Sequence, residues 1–235
     1  MSTPDLHLST LLVLNDEGRI VATREPEATR GPLFGLVRSA TSCAWAIRAD
    51  VPNDVARELD CFAREEPPTF NLRDAPLHAE RYVSLLKSRI APSQTAVTKI
   101  RQSDGPAFEF PDSLAPSVDA VVVQDEGLLR NFRGWVAGEI DAGRAPVLAI
   151  VEHGYPVSIC FCARRSEVAA EAGVDTAEAY RGRGYAPRVT AAWALAIRKS
   201  GRIPLYSTSW TNHASLAVAR KLGLVAYASS WGLSD

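Results

Sequence analysis

The chain has 235 residues, 46% of them hydrophobic and 23% charged, enough for one large domain or two small ones without structural disulfides or metals. Lys plus Arg number 26 against 27 Asp plus Glu, so the whole protein offers no positive field to nucleic acid or an anionic membrane. The start has no basic region before its apolar run, which Asn15–Gly18 breaks, and no stretch reaches the ~18 apolar residues of a membrane span. A cytoplasmic protein without nucleic-acid or membrane partners is expected. Cys160 and Cys162 alternate on one strand as buried thiols, and with Cys43 and Cys61 scattered no ligand set for a metal forms.

In chain order, Leu11–Leu14 and Ile20–Ala22 flank a four-residue turn and predict a β-hairpin. A strand is expected near Thr41–Ile47. A helix capped by Asp54 runs to about Ala63, and a second, over Leu77–Ile90, carries Tyr82, Leu85 and Leu86 at helical spacing. Two β-prone pieces follow, Thr95–Ile100 and Ala107–Phe110. Gly105, Pro106, Pro111 and Pro116 crowd into Asp104–Ser117, where a domain boundary is expected, giving an accessory lobe at 1–112 and a second domain at 113–235. That second part reads as strand 118–123, helix 126–142, and strands 147–151, 157–163 and 168–176. Helix 187–199 follows, with Val189, Ala192, Trp193, Ala196 and Ile197 on one face, then strand 205–210, helix 212–222 and strand 224–231. Alternating strands and helices imply a parallel pair within a mixed α/β sheet.

Between the strand ending near Thr176 and the helix beginning near Ala186 lies the segment Glu178–Ala186, which contains Gly182 and Gly184. Two glycines allow a tight turn and close ligand approach, and a helix N-terminus offers unpaired N–H groups to a pyrophosphate. Arg181 and Arg183 add charge for phosphate oxygens. Neither the Walker loop nor the dinucleotide fingerprint is present.

Arg181, Gly182, Arg183, Gly184, Tyr185 and Ala186 match an R-x-x-G-x-G/A pattern and resemble the coenzyme A signature of the GNAT superfamily of acyl-CoA-dependent N-acyltransferases. Ser207–Ser215 and Ala219–Leu224 resemble the family's later strand, its Asn-headed helix and its closing pattern, so the resemblance covers about Val118–Asp235. It implies a mixed sheet with helices on both faces, in which the family's fourth and fifth strands splay apart around the coenzyme, beside an N-terminal α/β lobe. It further implies that the backbone from Gly182 to Pro187 meets the pyrophosphate, with Pro187 itself lacking a donor. Val174, Asp175 and Thr176 would meet the pantetheine arm, Val174 and Thr176 through main-chain groups, joined by Asn212 and Ser215. Asn212 equally suits a helix N-cap.

The family's usual tyrosine acid is replaced here by Ala219, and the glutamate of its ribosomal-protein-type members by Ser207. The remaining base candidates are Glu171, preferred, and Glu152 or the adjacent His153; Tyr185, Tyr206 and Tyr227 are candidate acids. One-residue strand parity, or a bulge that reverses it, decides which face Glu171 takes. The expectation is an N-acetyltransferase that moves an acetyl group from acetyl-CoA to a primary amine of a small molecule or amino terminus, with a homodimer left open. The alternative is a non-catalytic acyl-CoA-binding or sensor protein.

Overall fold

The computed structural model describes residues 2–90, 99–115, 119–132 and 135–235. Helix α1 (Pro4–Leu11) opens the chain, with Thr3 Oγ1 accepting from the Leu6 amide at 3.2 Å and proline in the first turn. It was not expected, because two turns are too short for a helical period to show. The hairpin of β1 (Leu12–Leu14) and β2 (Ile20–Thr23) forms as expected, its turn pinned by Asn15 Oδ1, which accepts from the Glu17 and Arg19 amides at 3.1 and 2.8 Å.

Next come β3 (Phe34–Ser39), β4 (Cys43–Ile47), α2 (Asn53–Arg64), α3 (Ala79–Ile90) and β5 (Arg101–Glu109). β3 escaped the sequence reading, and Pro52 rather than Asp54 holds the cap position of α2, leaving Asp54 in its first turn. Of the expected piece Thr95–Ile100, residues 95–98 lie outside the described residues. The remainder is β6 (Ala120–Val122), β7 (Leu148–Glu152), β8 (Tyr155–Arg165), β9 (Ala169–Thr176), α4 (Tyr185–Lys199), β10 (Ile203–Ser207), α5 (His213–Lys221) and β11 (Val225–Ser234). Position 118 of the strand expected at 118–123 also lies outside the described residues.

The helix expected at 126–142 is corrected. The described residues there form a 3-10 turn at Glu126–Leu129 and a π turn at Ile140–Arg144. Gly138 at φ +92° and Gly143 at φ +137° hold conformations that no α-helix accommodates, although the apolar spacing of the segment is helical.

Nine strands form one sheet in the order β4-β3-β11-β5-β10-β9-β8-β7-β6, antiparallel throughout except for β9 beside β10. The sheet runs across the 112/113 division, because β5 seats between β10 and β11. Its Gly105 and Pro106 read as linker residues in sequence yet lie inside a strand. A Cβ on Gly105 would come 1.7 Å from the Thr208 carbonyl oxygen, so only glycine fits there. The Pro106 carbonyl accepts from the Thr208 amide at 3.3 Å. Because N–H and C=O of a strand residue point to the same edge, its missing N–H interrupts no bond to β11.

Strand parity sorts the core into two faces. Phe108, Cys160, Cys162, Ala170, Ala172 and Tyr206 meet Val189, Trp193 and Ile197 of α4. Farther along the same face, Phe34, Leu36 and Trp231 pack under α2 and α3. On the opposite face Val37, Ala107 and Ala228 meet Leu8 and Leu12 of α1 and the hairpin's Ile20. Cys160 and Cys162 are buried free thiols, both pushed up by burial, Cys162 to about 11. No helix among the described residues is long and apolar enough to cross a membrane, and they contain no group of three or more His, Cys, Asp or Glu able to hold a metal ion.

Candidate active site

The parallel pairing of β9 with β10 runs Ile203–Ala169, Pro204–Ala170 and Leu205–Glu171, and stops there. Beyond it the strands part, and the gap opens into a cavity of about 650 Å³. Its lining brings together Val174, Asp175 and Thr176 of β9; Arg181, Gly182 and Gly184 of the loop; Tyr185, Ala186 and Pro187 of α4; and Asn212 and Ser215 at the head of α5. Of the twelve coenzyme residues expected from sequence only Arg183 is outside it; its guanidinium donates to the Ala179 carbonyl at 3.1 Å and lies 4.9 Å over the Tyr180 ring.

The loop has the features an anion cradle needs. Gly182 and Gly184 stand at φ +78° and +80°, and a Cβ on either would meet nothing within 4 Å, so the space in front of the backbone is open. No side chain caps α4, whose first-turn amides keep their donor capacity. Arg181 Nε donates to the Thr176 carbonyl at 3.1 Å, tying the loop back to β9. Asn212 does cap α5, its Oδ1 accepting from the Ser215 amide at 3.1 Å, and its NH₂ group remains available to a ligand.

The lining also includes Lys221, which was not expected, and Tyr206, a candidate acid. Lys221, one helical face along α5, adds a cation, and Tyr206 of β10 stands with its hydroxyl 2.6 Å from Ser215 Oγ, its phenol pushed up to about 12 by burial. The pairing of Tyr206 with Phe108 and its proximity to Ser215 both needed the fold.

Both carboxylates singled out in the sequence are engaged. Glu171 lies at the last paired position before the splay and is only 2% exposed. A bulge between Cys162 and Arg164 sets Arg164 opposite Glu171, and Arg164 Nη1 donates to Glu171 Oε2 at 2.7 Å. Ser207 Oγ donates to the other carboxylate oxygen, and Arg164 also pairs with Glu25. Glu171 lines neither this cavity nor the one behind it. Glu152 accepts from the Tyr185 hydroxyl at 2.6 Å, and that hydrogen bond raises the phenol's pKa. Ala219, where the family's acid would stand, is packed into the core.

A second cavity, of about 380 Å³, lies on the α1 face of the sheet and shares Ser207 and Thr208 with the first. Its walls include His7, Leu8 and Leu11 of α1 and Arg164 of β8, with the small residues Gly35, Gly232, Ser103 and Ser230. Ser207 and Thr208, at the parting of β9 and β10, are thus wall residues common to both cavities.

Residues 147–228 match the family described as GNAT acetyltransferase. A GCN5-related N-acetyltransferase-like protein from Streptococcus suis is 21% identical, with 86% of this chain and 84% of that one covered at a TM-score of 0.46. A GNAT-family structure from Novosphingobium aromaticivorans is 18% identical, with 57% of this chain covered but only 66% of that chain, at a TM-score of 0.48. A functionally unknown conserved protein from Staphylococcus epidermidis, 11% identical, aligns over 99% of this chain and 96% of its own at a TM-score of 0.52, so the fold likeness extends over both halves. No curated protein matches.

Proposed function

We propose that the chain transfers an acetyl group from acetyl-CoA to a primary amine of a small molecule or an amino terminus. The observation that carries this reading is the single cavity at the parting of β9 and β10. It gathers the two-glycine loop, the open end of α4 and the Asn212–Ser215 turn from separate parts of the sequence. Anionic pyrophosphate suits the loop amides and Arg181, a further phosphate suits Lys221, and the unpaired edge of β9 from Ala172 to Thr176 suits the amides of an extended pantetheine arm. The residues present therefore fit the coenzyme.

Acetyl transfer needs an uncharged amine, a polarised thioester carbonyl and a proton for the leaving thiolate. The thioester would lie beside Ser207 and Thr208, the wall residues the two cavities share. The amine would approach from the α1 side, so the N-terminal lobe supplies the acceptor walls. Removing residues before 113 would take away β5 from between β10 and β11, and that half is not expected to fold alone.

The second reading, an acyl-CoA sensor, is favoured by Ala219, which removes the family's acid. The test is thiol release from acetyl-CoA with a panel of primary amines. Amine-dependent release above the no-amine rate supports the transferase. Tight binding of acetyl-CoA without release supports the sensor, and absence of binding refutes both.

A further inference from the structure

We propose that His7, on helix α1, is the base that takes the proton from the attacking amine, and that the cavity it lines receives a primary amine carried on a compact apolar body. The assignment rests on the acyl-transfer reading above.

His7 is fully buried although it lies only a few residues into the chain. Its Nδ1 stands 3.0 Å from the Tyr227 hydroxyl, and its Nε2, at the other edge of the ring, is buried with no partner among the described residues. A buried polar nitrogen without a partner is costly, so the site favours a ligand that supplies one. His7 is among the wall residues of the cavity that shares Ser207 and Thr208 with the coenzyme cavity. Leu8 and Leu11 give that space an apolar wall, and Gly35 and Gly232 leave room on its floor.

The carboxylate alternative is poorly placed. Both Glu171 oxygens are held, by Arg164 and Ser207, and Glu171 reaches neither cavity. Glu171 is instead a positioning residue that fixes Ser207, a wall residue of both cavities, and Arg164 in the cavity wall.

Burial lowers the His7 pKa; Glu171 on β9 opposes that shift and Arg164 on β8 adds to it. Asp104, Ser103 and Ser230 line the same cavity as His7, and Tyr227 of β11, Glu109 of β5 near Ser2, and Arg24, which donates to the Ser9 and Leu12 carbonyls, are also set around α1. A ring uncharged at neutral pH can act as a base. With the Nδ1 proton donated to the Tyr227 oxygen, Nε2 presents its lone pair. The amine nitrogen forms the N–C bond and passes one proton to Nε2. The C–S bond breaks with its electron pair going to sulfur, and the imidazolium proton neutralises the thiolate, directly or through water. The products are the amide and the free thiol, so no separate acid is needed where Ala219 stands.

The test uses the full chain labelled with ¹⁵N-histidine, together with turnover on the primary amine that the wild type acetylates fastest. The expected result at pH 7 is an Nδ1–H tautomer for His7 with bare Nε2. His7→Gln is expected to lose ~10²-fold or more in kcat, with acetyl-CoA affinity unchanged and the acid limb of the pH profile abolished. Tyr227→Phe is expected to shift the tautomer toward Nε2–H and lower kcat less. Glu171→Gln is expected to stay within about tenfold of wild type with the acid limb retained. An Nε2–H tautomer in the wild type, wild-type turnover in His7→Gln, or transfer of the lost acid limb to Glu171→Gln overturns the assignment while the coenzyme reading stands. Failure of the wild type to bind acetyl-CoA removes that reading and the assignment together.

Discussion

Replacing Gly184 by valine perturbs the cradle at one atom position. Gly184 sits at φ +80° as the residue before the first turn of α4, and a Cβ there would meet no protein atom within 4 Å. The cost to the free protein is therefore backbone strain alone, ~1–2 kcal/mol for a left-handed residue and more for a β-branched one. The cost to the bound state is larger, because the side chain would occupy the space through which phosphate must approach the amides. Loss of one or two charge-assisted hydrogen bonds at ~1.5–3 kcal/mol each corresponds to roughly 10²-fold in affinity. Acetyl-CoA at 100 times its wild-type Kd stabilises by ~2.7 kcal/mol, which for a chain of this size is ~5–11 °C in thermal unfolding. At the same concentration, the valine variant would gain only ~0.4 kcal/mol, or ~1–2 °C. Differential scanning with and without acetyl-CoA reads both effects. A folded variant whose acetyl-CoA-induced shift equals that of the wild type would refute the cradle.

Gly105→Ala drives a Cβ to 1.7 Å from the Thr208 carbonyl and 2.9 Å from Ser209 Cα, where only backbone could yield. A loss of ~3 kcal/mol in urea unfolding is expected, and an unchanged midpoint would contradict the packing of β5 against the β10–α5 turn. Arg48 holds Asp235 by two hydrogen bonds, of 2.7 and 2.8 Å, which lower its carboxyl to about 2. Its contribution is complete above the usual aspartate pKa of ~3.9 and disappears as pH falls through the folded value. Asp235→Asn should therefore lower stability at pH 7 by ~1 kcal/mol, after allowance for partial exposure, and the difference should vanish near pH 2.

The C-terminal part was the more legible because its signals are local. The face Val189–Trp193–Ile197 defines α4, and the loop glycines and Asn212 announce their backbone roles by residue type alone. What sequence could not show was pairing across distance. β5 looked like a linker because Gly105 and Pro106 are turn residues in most settings, and only the passage of Thr208 explains them. Glu171's face depended on the bulge opposite it, which no periodicity reveals. His7 had no local signal: an eight-residue helix near the start of the chain is brought to the splay by a sheet whose strands come from both halves.

The central claim, that acyl-CoA binds where β9 and β10 part, is tested most directly by amide hydrogen exchange of the whole chain with and without acetyl-CoA. The account predicts slowed exchange at 172–176, 182–186 and 212–216, with the hairpin β1–β2 and helices α2 and α3 unchanged. Binding accompanied by protection elsewhere, with 182–186 exchanging as in the free protein, would contradict it.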